Sequence, residues 1–94
     1  MIIKILHLED LATDAELISR FLKNADIDFE IRVVDNKEEF ERGLNDFGPD
    51  IILSDHSLPT FDSLGALAIL KDRKLSIPFI LITSAMSEEF AVEI

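Results

Sequence analysis

The chain has 94 residues, of which 19 are acidic and nine basic, for a formal net charge of −10. That length holds one domain with a small core. The acidity works against direct binding of nucleic acid or an anionic membrane surface and suits a cation such as Mg²⁺ or a partner with a basic face. An apolar fraction of 48% is too high for a disordered chain. The absence of cysteine excludes disulfides, thiolate zinc sites and thiol catalysis, and fits the cytoplasm. The N-terminus lacks the cationic region and small-residue cleavage site of a signal peptide, and no run approaches the roughly 18 apolar residues that cross a bilayer.

Ile2 to Leu8 is an apolar, β-branched run that reads as a strand covered on both faces, as in a parallel sheet. It stops at Glu9-Asp10. Leu11, Ala15, Ile18 and Leu22 then recur at helical spacing, with Arg20 and Lys23 in the last turns, where cations suit the helix dipole, and Asn24 as a stop. Phe29 to Val34 alternates apolar with Glu30 and Arg32, the pattern of a half-exposed edge strand. Asn36 stands as a helix cap with Glu39 three residues on, and Phe40, Leu44 and Phe47 form an apolar stripe that ends at Gly48-Pro49.

Ile51-Ile52-Leu53 is a short buried strand closing at Ser54-Asp55. A loop with Pro59 and Asp62 leads to a third helix from about Ser63, in which Leu64, Leu67, Ala68 and Leu75 are expected to face the sheet. Phe79 to Ile82 is a fourth buried strand ending in Thr83-Ser84, and Ser87 to Ile94 reads as the start of a fourth helix, with Phe90 as a core candidate. This β-α alternation predicts a parallel sheet with right-handed crossovers and helices on both faces.

In such sheets ligands sit outside the carboxyl ends of the strands. Strand one ends in Glu9-Asp10, strand three in Asp55 and strand four in Thr83-Ser84, so three carboxylates and two hydroxyls meet at one rim if these strands are neighbours. Crowded carboxylates stay ionised with a cation between them or open water above them. A hard ion fits oxygen donors, and Mg²⁺ takes one or two carboxylates together with phosphate oxygens. The set points to Mg²⁺-assisted phosphoryl chemistry, in which a carboxylate can itself be the nucleophile. Singly these residues have a plainer reading: Asp10 as cap of the first helix, Asp62 or Ser63 as cap of the third. His7 and His56 show no metal-ligand spacing and read as ordinary structural histidines, and the Phe residues read as core filler. No Gly-rich phosphate loop and no triad-like serine is evident.

Taken in order, these motifs resemble the receiver domain of two-component response regulators. They are Leu8-Glu9-Asp10, Pro49-Asp50-Ile51-Ile52-Leu53-Ser54-Asp55, Ser57-Leu58-Pro59 followed by Phe61-Asp62, and Pro78-Phe79-Ile80-Leu81-Ile82-Thr83-Ser84. The resemblance covers essentially all 94 residues. It implies a flavodoxin-like (CheY-like) doubly wound α/β fold with strand order 2-1-3-4, lacking the family's fifth strand and fifth helix. It implies that Asp55 is the phosphoacceptor, taking its phosphoryl group from a histidine kinase or a His-containing phosphotransfer protein. Glu9 and Asp10 would organise Mg²⁺ together with Asp55 and the backbone carbonyl of Ser57. Thr83 would be the switch hydroxyl, Ser84 the small residue beside it and Pro59 the loop proline.

The departure lies at the C-terminus, where the strand-five lysine that contacts the phosphoryl group in the family is missing. Strand four would then be an open hydrophobic edge, and a homodimer or an exchange of elements through Phe79 to Ile82 is expected. The function implied is a phospho-accepting signalling switch. The alternatives are a degenerate, non-phosphorylated docking or dimerisation module and a Mg²⁺-dependent phosphohydrolase with Asp55 as nucleophile, for which no general acid is evident.

Overall fold

A computed structural model describes residues 2–55, 63–82 and 91–93, the last three by their backbone alone. In chain order the elements are β1 (Ile3–Leu8), α1 (Ala12–Asn24), β2 (Phe29–Val34), α2 (Lys37–Asp46), β3 (Ile51–Asp55), α3 (Ser63–Asp72), β4 (Phe79–Ile82) and β5 (Ala91–Glu93). The strands form one sheet in the order β2-β1-β3-β4-β5, and the first four are parallel. This is the doubly wound arrangement 2-1-3-4. Each crossover is right-handed by rule, and the chain reverses direction between β2 and β3. That reversal places α1 on one face and α2 and α3 on the other.

The core follows from this wiring. β1 is central and buried along its last four residues, as its unbroken apolar run requires. Leu6, Leu8, Ile52 and Phe79 project to the α2–α3 face and pack with Phe40, Ala66 and Leu70. Gly43 of α2 lies so close to this layer that an added Cβ would sit 2.7 Å from Leu6 Cδ1. β2 is the sheet edge, with Glu30, Arg32 and Val33 exposed. α2 begins as a capped helix: the Asn36 side chain accepts the Glu39 backbone N–H at 2.9 Å. α1 begins differently. Its cap residue is Leu11, with no side-chain cap bond, so Asp10 does not cap it.

Three expectations need correction. The buried face of α3 is Ser63, Ala66 and Leu70, with Leu67 partly buried, whereas Leu64 is 72% exposed and Ala68 and Leu75 are also exposed. The helix is apolar nearly all round, so its composition carries no phase. Phe21 is 71% exposed on α1 and is not core filler. Within the segment expected to start a fourth helix, Ala91–Glu93 is instead a strand antiparallel to β4, pairing Ile82 with Ala91, Leu81 with Val92 and Ile80 with Glu93. Backbone groups on the outer side of β4 find partners in this way. The edge that was expected to drive dimerisation or exchange is therefore covered. Phe90 lies outside the described residues.

Candidate functional site

The acidic residues expected at the strand ends do converge. Glu9 follows the last residue of β1, and its N–H continues the ladder by donating to the Val34 carbonyl at 2.9 Å. Asp10 is the next residue. Asp55 is the last residue of β3, and β1 and β3 are hydrogen-bonded neighbours. One carboxylate oxygen from each of Glu9, Asp10 and Asp55 lies within 4.8 Å of the other two. Asp10 is exposed, while Glu9 and Asp55 are nearly buried, at 7% and 9%. The register pairs Asp55 with Ile82, so the carboxyl end of β4 is beside the cluster. Thr83 and Ser84, the next two residues, lie outside the described residues, as do Ser57, Pro59 and His56.

The electrostatics are those of crowded carboxylates. Burial pushes the Glu9 carboxyl up to about 7. The Leu11 N–H, which donates to Glu9 Oε2 at 3.3 Å, pulls the other way, and the negative charges of Asp55, Asp14 and Asp10 raise it further. A divalent cation would reverse these penalties. The donors fit such an ion: all are hard carboxylate oxygens, and a small movement brings them to the spacing of one Mg²⁺ coordination sphere.

One residue read from the sequence as an ordinary structural histidine stands close to the cluster. His7 is fully buried, and neither of its ring nitrogens has a hydrogen-bond partner among the described residues. Strand register places it between Val33 and Leu53. Side chains two residues apart share a strand face, so His7 lies one layer beneath Glu9, with Nε2 4.0 Å from Glu9 Oε1. Burial drives its pKa down to about 4, although the Asp55 charge opposes the shift.

The family model of the response regulator receiver domain matches residues 5–94. The chain belongs to that family. Receiver domains are signalling domains, and no helix among the described residues is long and apolar enough to cross a membrane. The receiver domain of the Francisella response regulator 1452 is 26% identical, with a TM-score of 0.72, over 92% of this chain and 69% of its own. A signal receiver domain of a modulated diguanylate cyclase from Desulfovibrio desulfuricans G20, described as an example of alternate folding, is 32% identical, with a TM-score of 0.71, over 93% of this chain and 69% of its own. A response regulator in red light signalling of R. palustris shares the fold at 21% identity and a TM-score of 0.74, over 93% of this chain and 69% of its own. No curated protein sequence matches the chain.

Proposed function

We propose that residues 1–94 act as one phospho-accepting receiver unit of a two-component phosphorelay in the cytoplasm. The observation that carries this reading is the convergence of Glu9, Asp10 and Asp55 at the carboxyl rim of a receiver sheet. An ionised Asp55 oxygen attacks the phosphorus of a phosphohistidine on a histidine kinase or His-containing phosphotransfer protein. An O–P bond forms as the N–P bond breaks, and the imidazole keeps the electron pair. Mg²⁺ held by Glu9, Asp10, Asp55 and the Ser57 carbonyl would neutralise charge on the transferring phosphoryl oxygens. The family resemblance further gives Thr83 the role of switch hydroxyl, Ser84 the small position beside it and Pro59 the shaping of the loop. Addition of the phosphoryl group would bias a pre-existing equilibrium between two surface states.

The test is incubation with acetyl phosphate and Mg²⁺, read by intact mass, with beryllofluoride and Mg²⁺ read by NMR. The expected result is a single phosphoryl adduct that is absent in Asp55→Asn and without Mg²⁺. An adduct retained by Asp55→Asn sinks the assignment. Mg²⁺ binding with no adduct under either reagent would leave the docking module as the better reading.

A further inference from the structure

β2 ends the sheet, and among the described residues no strand lies beyond it. Its ladder to β1 decides which of its backbone groups face outward. Ile3 N–H donates to the Asp28 carbonyl at 3.0 Å and Glu9 N–H to the Val34 carbonyl at 2.9 Å, with one parallel register between them. In a parallel pair, alternate residues of a strand bond to the same neighbour. The even-numbered residues from Asp28 to Val34 therefore turn their backbone groups toward β1. Phe29, Ile31 and Val33 turn theirs out of the sheet. Such a row is a template for another strand.

The side chains along this edge are complementary to their own reversal. Glu30 and Arg32 are two residues apart, so they share a face of the sheet, and both are exposed. Neither has an ion-pair partner among the described residues. When a second β2 runs antiparallel to the first with Ile31 opposite its own copy, Phe29 stands opposite Val33 in both directions. These are the pairs that exchange the outward N–H and C=O groups. Glu30 then falls opposite Arg32 of the second copy, twice across the two-fold axis. It does so at the non-hydrogen-bonded sites, where side chains are closest and Cα atoms are roughly 4.5 Å apart. Moving the axis by one residue either way sets Glu30 against its own copy or Arg32 against its own copy. Like charges directly opposite are unfavourable, so charge selects a single register.

We propose that the chain forms a two-fold symmetric dimer through β2, which joins two sheets edge to edge with Ile31 at the axis and reciprocal Glu30–Arg32 pairs. The contact is isologous and closes on itself. Val33, 44% exposed in one chain, is covered by Phe29 of the second copy. The net charge of −10 opposes association at long range, so the contact draws on backbone hydrogen bonds and local charge pairs. Strands run antiparallel across the junction, so the two carboxyl-terminal rims point in opposite directions. The Glu9, Asp10 and Asp55 clusters stay clear of the interface, and the dimer does not depend on the phosphoryl reading.

The experiment is sedimentation velocity on the full 94-residue chain across a concentration series, with Arg32→Glu, Glu30→Arg and the double exchange of both. Circular dichroism verifies that each variant is folded. The expected result is a concentration-dependent dimer in wild type that each single substitution weakens about tenfold or more. The double exchange re-forms both pairs with their signs reversed and restores association. Amide ¹H–¹⁵N spectra of wild type follow the same series. The outward N–H groups of Phe29, Ile31 and Val33 should shift and gain exchange protection with concentration. A dimer that both single variants keep at full strength overturns the proposal, as do concentration-dependent shifts confined to other elements. A wild type that stays monomeric overturns it too and leaves the edge to a strand of a different protein. The amide measurement on wild type decides even if the variants fail to fold.

Discussion

The two ends of the sheet handle charge in opposite ways. At the amino-terminal rim several charges have company. Asp50 Oδ2 accepts the Lys4 backbone N–H at 2.9 Å, while the Asp50 N–H donates to the Lys4 carbonyl at 2.7 Å. The Phe47 ring lies 5.7 Å from Lys4 Nζ and 4.9 Å from Arg32 Cζ, so both cations sit against its π-face. Arg73 donates to Asn45 Oδ1 at 2.7 Å and to Glu41 Oε2 at 3.4 Å, tying the end of α3 to α2. At the carboxyl-terminal rim three carboxylates crowd together above an imidazole with no hydrogen-bond partner among the described residues. One end settles the fold, and the other holds repulsion that a cation or phosphoryl chemistry can relieve.

Removing charge should therefore have opposite signs at the two ends. Glu9→Gln leaves the shape of the side chain and takes away a carboxylate that burial has pushed up to about 7. At pH 8 the metal-free variant should be more stable than wild type, by about 1 kcal/mol once solvent screening is allowed for. The measurement is urea unfolding followed by far-UV circular dichroism, since the chain has neither tryptophan nor tyrosine for fluorescence. Wild-type Mg²⁺ affinity should climb as pH rises through about 7 and Glu9 loses its proton, and the Gln variant should lack that step. A less stable Gln variant would break the comparison.

His7→Leu should stabilise the protein by about 2 kcal/mol at pH 7, because it replaces two buried nitrogens that have no partner among the described residues with apolar surface. Its pH profile is more informative. His7 has a folded pKa of about 4 against 6.5 unfolded, so its contribution is complete above pH 6.5 and is lost as pH falls toward 4. Glu9 has a folded pKa of about 7 against 4.5, so its contribution is complete below 4.5 and is lost as pH rises through 7. Between pH 4.5 and 6.5 the two nearly cancel in wild type. In His7→Leu only the Glu9 contribution remains, and stability should rise as pH falls from 7 to 4.5. Unfolding midpoints across that range provide the check, and parallel profiles for the two proteins would refute the coupling.

What could be read from the sequence follows the same division. The span of β2, the Asn36 cap with Glu39 and the stop of α1 at Asn24 were legible because each rests on a local pattern with one physical meaning. The meeting of Glu9, Asp10 and Asp55 was legible because strand ends are local and parallel topology supplies the rest. The face of α3 was not, since Leu64, Ala66, Leu67 and Leu70 give a helix with no polar side to orient it. The strand at Ala91–Glu93 depends on pairing with β4, a long-range partner that a three-residue pattern cannot announce. His7 was legible as a buried structural histidine, but the want of a hydrogen-bond partner among the described residues was not, because it depends on what packs around the ring.

The smallest expected effect sharpens the contrast most directly. Asp50 is exposed, and ordinary exposed carboxylates contribute little to stability. Here its side chain binds the Lys4 N–H at the start of β1, while its own N–H returns to the Lys4 carbonyl. This two-way clasp joins β1 to the entry of β3 at the end opposite the acidic cluster. Asp50→Ala keeps the backbone half of the clasp and loses the charge-assisted half, so stability should fall by about 1 kcal/mol. Asp50→Asn keeps an acceptor oxygen and should recover most of that loss. The paired result in urea unfolding, with a carboxylate deletion that destabilises here and one that stabilises at Glu9, separates a clasped charge from a crowded one at nearly constant net charge. If Asp50→Ala were as stabilising as Glu9→Gln, the net charge of −10 would be governing stability throughout the molecule, and the difference between the two rims would carry no energetic meaning.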